Sequence, residues 1–400
     1  MATPFESVSV ESLHRRRTAK WTEFGDTVLA AQIAEMDFDI AAPIRDALTE
    51  AMDRGEFGYS PHQITGLRES CAAFIAESYG WHLGIDQIFL VPDVLEGVSK
   101  ALDLFSRPSG GVIVPTPAFP PFFEIIALTG RTPVQVPMID QETKPALDMA
   151  GIDRALASGA DTVLLCNPHN PTGRPASPDE LEELSHIVAR HGARVIADEV
   201  YAPLSYPGSR HFPYAQVSAG AAAHSVTLTS ASKAWNIAGL KCAQVILTHE
   251  ADRERWQRLP VFAIGGISPL AIAASQAAYS AGRRWLRDVV AYLDGNRHHL
   301  AKLLATELPE AGFRIPEATY LAWLDCRALG IAEPASFFLD RAQVALSDGA
   351  AFGTVGQGFV RLNFATSRRV LTEIVTAMGA AIREPCPGRH AERRSSPHPG

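Results

Sequence analysis

Four hundred residues are too many for one small core, so two domains are expected, one of them large. Apolar residues make up 46% of the chain and charged ones 20%, an ordinary globular balance, and the formal charge of -8 argues against a nucleic-acid binder, which needs a basic face. The only dense basic run is Arg15-Arg16-Arg17. The five cysteines (71, 166, 242, 326 and 386) form no CxxC pair and have no metal-ligand spacing, which fits buried thiols in a reducing, cytoplasmic compartment. No apolar leader stands at the N-terminus, and no run approaches the length that spans a bilayer.

Ile44, Ala47, Leu48 and Ala51 recur at helical spacing, and residues 67–79 read as a second amphipathic helix. Between them, 55–61 is a loop rich in turn formers and aromatics. Short runs rich in Val, Ile and Leu follow at 87–91, 111–114, 162–166, 194–197, 225–228 and 243–247, with helical stretches near 94–105, 119–129, 178–191 and 268–281. Apolar strands alternating with helices predict an α/β fold with a mostly parallel sheet covered on both faces. After Gly282 the pattern changes to a long helix (285–308), a strand (319–324), a helix (334–342), a strand (359–364) and a helix (367–382). We expect an N-terminal segment (1–40) packed on a small α+β domain (285–383), a large domain (41–284), and a disordered Pro-, Arg- and Ser-rich tail (384–400).

Three motifs end apolar runs: Asn167-Pro168-His169-Asn170-Pro171-Thr172-Gly173, Asp198-Glu199-Val200-Tyr201, and Thr229-Ser230-Ala231-Ser232-Lys233. Together they supply what pyridoxal 5'-phosphate (PLP) requires: an amine for its aldehyde, a carboxylate for its ring nitrogen, and donors for its phenolate oxygen and phosphate. Lys233 is the candidate amine and proton acceptor. Asp198, on a buried strand, needs a partner, and a protonated pyridine nitrogen would serve. Tyr201 and Asn170 could donate to the phenolate oxygen, and Asn170 to a substrate carboxylate as well. Ser230 and Lys241 are candidates for the phosphate, with the backbone amides of Val94 and Leu95 at a helix start. Asp93 fits an N-cap there, but its charge would repel a phosphate if the side chain pointed inward. Phe119 could stack on the ring or simply fill the core. Tyr59 lies in an exposed aromatic loop and could reach across a dimer interface, whereas Arg361, a charge in an apolar strand, suits a substrate α-carboxylate.

The set resembles fold type I PLP enzymes of the class I/II aminotransferase superfamily, and most closely their C–S β-lyase subgroup, the aminotransferase-like cystathionine β-lyases. The carrying stretches are Lys20-Trp21, residues 34–38, Phe57-Gly58-Tyr59-Ser60, 167–173, 233–240, 319–325 and 358–363. The resemblance implies a large domain with a seven-stranded sheet and a homodimer with a shared active site. It implies that Lys233 is the Schiff-base lysine, that Asp198 pairs the ring nitrogen, and that Tyr201 and Asn170 contact the phenolate oxygen. Ser230 is implied to hold the phosphate, Arg361 to bind the substrate carboxylate, and Tyr59 to contact the phosphate of the neighbouring subunit. Four features depart from the subgroup. Phe119 stands where many members have tyrosine, Tyr201 is the aminotransferase-like residue where a histidine is common nearby, Asp93 stands where hydroxyl residues often touch the phosphate, and Glu35 replaces the usual aspartate. The implied activity is cleavage of the Cβ–S bond of cystathionine or another S-substituted cysteine. Transamination, or a pathway-specific reaction on an S-conjugate, shares the same first steps. A non-catalytic PLP-binding regulator fits less well, because no helix-turn-helix precedes Ile40.

Overall fold

The computed structural model describes residues 4–60, 64–141 and 144–384. The expected tail therefore lies outside the described residues, except for Glu384. Seven strands form the large sheet: β1 (Ile88–Val91), β2 (Gly111–Thr116), β3 (Thr132–Pro137), β4 (Ala160–Cys166), β5 (Arg194–Asp198), β6 (Ser225–Thr229) and β7 (Ala243–Ile246). Their order is β1-β7-β6-β5-β4-β2-β3. β7 runs antiparallel to both neighbours, and the remaining pairs are parallel.

Side chains alternate across a strand, and here both sets are apolar. Val112, Val114, Leu164, Ile196 and Leu228 enter one core, while Ile113, Val163, Leu165, Val195 and Ala197 enter another. Double-sided burial is why these strands read as continuous apolar runs. β3 escaped that reading. It lies at the sheet edge, contains Pro133 and Pro137, and buries only Val136. An edge strand tolerates proline because one side needs no ladder hydrogen bonds.

Cys166 stands opposite Asp198, and Asp198 opposite Leu228. The carboxyl ends of β4, β5 and β6 are therefore level, and the three motifs that follow them meet at one edge. Helix α1 (Val94–Phe105) starts beside them after β1, and α2 (Ala231–Ala234) carries Lys233. Gly97 lets α1 approach β6 closely, since a Cβ there would sit 2.2 Å from a Leu228 methyl.

A second sheet is antiparallel throughout: β8 (Gly312–Phe313), β9 (Leu321–Asp325), β10 (Ser347–Asp348) and β11 (Phe359–Asn363), in the order β8-β9-β11-β10. Ala322, Leu324, Val360 and Leu362 share a core with Leu293, Leu300, Leu371 and Ile374 of the helices α3 (Arg283–Glu307) and α4 (Arg368–Arg383). On β11 the alternate positions carry Phe359 and Arg361, and on β9 Trp323 pairs with Arg361 in register.

Residues 31–38 form a strap between the two sheets. Just before it, Leu29–Ala30 pairs in parallel with Val344–Ala345. Asn363 donates to the carbonyls of Ile33 (2.7 Å) and Glu35 (2.6 Å) from one side. Asn236, at φ 58°, donates to those of Met36 (2.8 Å) and Phe38 (2.9 Å) and accepts from Met36 N (2.9 Å) on the other. A buried ion pair, Lys20 with Asp37 at 2.9 Å, anchors the far end, and the Trp21 indole donates to the same oxygen at 2.7 Å. Among the described residues no helix is long and apolar enough to cross a membrane, and no group of His, Cys, Asp and Glu is arranged to hold a metal ion.

Candidate active site

Ser230 caps α2: its hydroxyl accepts from Ser232 N at 3.0 Å and donates to Cys242 O at 2.7 Å. The cap fixes the turn that aims Lys233 back over the sheet edge. Lys233 Nζ donates to Ala34 O of the strap at 2.8 Å. Burial lowers its pKa to about 8, and the positive charge of Arg361 adds to that effect against the opposing pull of Asp198. A partly neutral amine at ordinary pH is one that can act as nucleophile and base.

Asp198 ends β5 with 6% of its surface exposed. Its Oδ1 accepts from Val200 N at 3.1 Å, and no cationic side chain pairs with it among the described residues. Burial raises its pKa to about 6, although Lys233 pulls the other way. Glu199, its neighbour, turns away to a separate buried cluster, accepting from Tyr214 N at 2.7 Å and contacting His211 Nε2 at 3.1 Å. Tyr201 is buried with its ring edge-on to Tyr320 at 5.8 Å, and burial pushes its hydroxyl pKa up.

Arg361 is 5% exposed and has no carboxylate partner among the described residues. Its Nη1 donates to Asn170 Oδ1 (3.1 Å), its Nη2 to Gln32 O (2.8 Å) and Ser347 Oγ (3.0 Å), while Nε is buried with no partner. The guanidinium lies 5.2 Å from the Phe352 ring. Asn170 is held by the turn that follows β4. Gly173 closes that turn at φ 67°, and a Cβ there would sit 2.4 Å from Pro316 and 2.7 Å from the Ala318 carbonyl. Only glycine fits both the conformation and the approach.

At the opposite end Asp93 caps α1, accepting from Glu96 N at 2.8 Å, and pairs with Lys241 at 2.8 Å. Burial alone would raise the Asp93 pKa, but the Lys241 ammonium and the helix amides bring it below the ordinary carboxylate range. The repulsion expected of Asp93 is thus balanced by the lysine expected to attract the phosphate. The amides of Val94 and Leu95 form the first turn beneath this pair, and the Leu95 amide is partly claimed by the Asp93 carboxylate.

Lys233, Asp198, Tyr201, Asn170 and Arg361 therefore converge, with Ser230, Lys241, Val94 and Leu95 at one end. The Ser230 proton goes to Cys242 O in this arrangement, so the serine acts first as a cap. Phe119 is half-buried and edge-on to Phe122 at 5.6 Å. Tyr59 is not brought to the site of its own chain; it is fully exposed, as are Phe57 and Phe262 in large part. Sequence reasoning missed the strap's contribution. The Ala34 carbonyl receives both Lys233 and the Tyr320 hydroxyl (2.9 Å), and Gln32 contributes a carbonyl to Arg361. Main-chain acceptors leave no residue-type signal. Asn236 and Asn363 lay inside stretches that carried the resemblance but had no assigned role.

A buried carboxylate and a buried guanidinium, neither held in an ion pair among the described residues, flank a lysine of lowered pKa at the carboxyl edge of a mostly parallel sheet. The family model for aminotransferase class I and II matches residues 31–378, and the chain belongs to that family. It is 39% identical to cystathionine beta-lyase of Corynebacterium glutamicum over 370 residues, covering 91% of this chain and 96% of that one. Cystathionine beta-lyase PatB of Bacillus subtilis is 32% identical over 376 residues, with 92% and 97% covered. Among solved structures, the PLP-bound C-S lyase from Staphylococcus hominis matches with a TM-score of 0.89 at 26% identity, covering 96% of this chain and 99% of its own.

Proposed function

We propose that this protein is a PLP-dependent C–S β-lyase that cleaves the Cβ–S bond of cystathionine or another S-substituted cysteine to a thiol, pyruvate and ammonia. The observation that carries the reading is the pair of buried charged groups on either side of Lys233, neither held in an ion pair among the described residues. Asp198 calls for a cation and Arg361 for an anion, and a pyridinium ring and an α-carboxylate supply them. When bound, PLP would provide an electron sink for the charge left as Cα loses its proton.

Arg361 and Asn170 would hold the substrate carboxylate, the guanidinium through the fork that now rests on neutral acceptors. Asp198 would hold the ring nitrogen protonated, and Tyr201 and Asn170 would contact the phenolate oxygen. The phosphate would lie against Ser230 and the start of α1, near Lys241, with Phe119 over the ring. Lys233, held at Ala34 O when free, would take the Cα proton. Its pKa of about 8 leaves an appreciable fraction of the amine unprotonated near neutrality.

We also infer a homodimer in which Tyr59 reaches the neighbouring site, because Phe57, Tyr59 and Phe262 together leave large apolar rings in solvent. A cytoplasmic setting is supported by Cys71, Cys166, Cys242 and Cys326, all buried free thiols. The division into a large domain (41–284) and a small one (285–383) with the first forty residues is our reading of the two sheets and the strap.

Purified holoenzyme incubated with cystathionine or S-methylcysteine is expected to release thiol and pyruvate in equal amounts. Transfer of the amino group to a keto acid without thiol release rejects the lyase reading in favour of transamination. Lys233→Ala is expected to lower turnover by about 10³-fold or more. Borohydride should then no longer fix the cofactor to the protein, as read by mass spectrometry.

A further inference from the structure

We propose that Tyr320 is a positioning residue for Lys233: its hydroxyl shares the Ala34 carbonyl with the lysine, so that the amine is parked at the strap but held only weakly. The proposal rests on the reading of Lys233 as the reacting amine. Tyr320 lies in the stretch 319–325 that carries the family resemblance, and none of the binding roles falls to it. It is fully buried just before β9, and its hydroxyl donates to Ala34 O at 2.9 Å. Lys233 Nζ donates to the same oxygen at 2.8 Å. Burial pushes the Tyr320 hydroxyl pKa well up, so the group keeps its proton and stays a donor over any working pH.

The backbone before it is built to aim this ring. Thr319 is β-branched yet sits in the left-handed region at φ 67°, where such a side chain is strained. The turn is held there by Ala318 N on Gly173 O (2.7 Å), Thr319 N on Leu204 O (3.0 Å) and Leu321 N on Thr319 Oγ1 (3.2 Å). The buried Tyr206 hydroxyl also donates to Thr319 O, and Phe364 N donates to Tyr320 O at 3.0 Å. Gly173 closes the turn of Asn170, and Leu204 follows Tyr201 by three residues. Tyr320 is thus tied to two of the strand-end motifs and, through Ala34, to the third.

The shared carbonyl has an electrostatic consequence. Two donors on one oxygen draw on the same electron density, so each weakens the other's bond. The O–H dipole also turns its positive end toward the lysine. Both effects favour the free amine over the ammonium. Among the charged groups around Lys233, Arg361 and Lys241 act in the same direction, whereas Asp198 and Glu35 oppose them. Tyr320 itself is faced by Tyr201, Glu35 and Arg361. Replacing the hydroxyl alone leaves all of these in place.

The test is the pH dependence of Lys233 acetylation in the full-length apoprotein, read by peptide mass spectrometry with Lys100 and Lys302 as internal references. In Tyr320→Phe the midpoint for Lys233 should rise by about 0.5–1 pH unit, with the references unmoved. Tyr320→fluorotyrosine, a nearly isosteric and stronger donor, should move it the other way, and it serves if the phenylalanine variant does not fold. In the holoenzyme, Tyr320→Phe should lower kcat by about 3–10-fold near neutrality and recover at high pH. A purely structural role would lower kcat by the same factor at every pH. That result, an unmoved Lys233 midpoint, or a rise with fluorotyrosine overturns the proposal. The labelling needs no cofactor. A shifted midpoint in a protein whose Lys233 borohydride never joins to the cofactor therefore upholds the hold of Tyr320 on the amine and refutes the PLP reading.

Discussion

Asp198 stands at the end of a strand buried on both faces, and its surroundings come from three consecutive strand ends of a single sheet. Arg361 reaches the same site from another sheet, and its contacts come from three separated segments: Gln32, Asn170, and the stretch that holds both Ser347 and Phe352. Both side chains carry charge into a place that water barely reaches. They meet the cost differently. The carboxylate can take up a proton, and burial brings its pKa to about 6. The guanidinium keeps its proton at any ordinary pH. It is therefore ringed by neutral acceptors and laid on an aromatic face, which solvates the charge without cancelling it. A site for an anion must do this, because a built-in carboxylate would already occupy the arginine.

Removing Arg361 should break this comparison most severely. Arg361→Ala leaves the Gln32 carbonyl, Asn170 and Ser347 facing a void, and we expect kcat/KM to fall by about 10²-fold, mainly through KM. Arg361→Lys keeps the charge but not the fork, so it should recover only part of the loss. An unchanged KM would place the substrate carboxylate elsewhere.

Asp198→Asn tests the other pole, through pH. In the cofactor-free protein the folded-state pKa of about 6 lies above the ordinary aspartate value of 3.8. The folded state therefore binds more protons than the unfolded chain between these values. Stability from this group is fully present below about pH 4 and is lost as pH rises through about 6. Asp198→Asn should abolish that loss, on the order of 3 kcal/mol. A cation bound opposite the carboxylate should also remove it, by lowering the pKa. Urea melts of the apo- and holoenzymes from pH 4 to 8 measure both effects. If the wild-type apoprotein shows no such slope, the carboxylate has a partner the structure does not reveal.

The smallest expected effect concerns the strap that joins the poles. Asn236→Gly keeps the left-handed backbone at φ 58° but removes three hydrogen bonds to Met36 and Phe38. We expect a stability loss of about 1–3 kcal/mol. Activity should fall as Ala34 O loses its position against Lys233. Wild-type activity at reduced stability would separate the strap's structural role from any effect on the lysine.

The large sheet was legible because double-sided burial writes long apolar runs into the chain, and the site's first half because Asn170, Asp198 and Lys233 each follow such a run. Edge strand β3 left no comparable trace: one buried residue and two prolines do not distinguish a strand from a loop. Arg361 was conspicuous as a lone charge in an apolar strand, yet nothing local could say that Gln32 and Ser347 would face it. The same limit applied to Ser230, recognisable as a strand-end hydroxyl but not as the cap that donates to Cys242 O.

Sequence alone determined which groups are chemically able: an amine, a carboxylate and a guanidinium in contexts where each is out of place unless used. Tertiary structure decided how they are tuned and what surrounds them. Desolvation, the pairing of Asp93 with Lys241 and the strap's carbonyls all arise between segments far apart in the chain. Those energies depend on distance and dielectric rather than on residue order, so only the folded arrangement could set them.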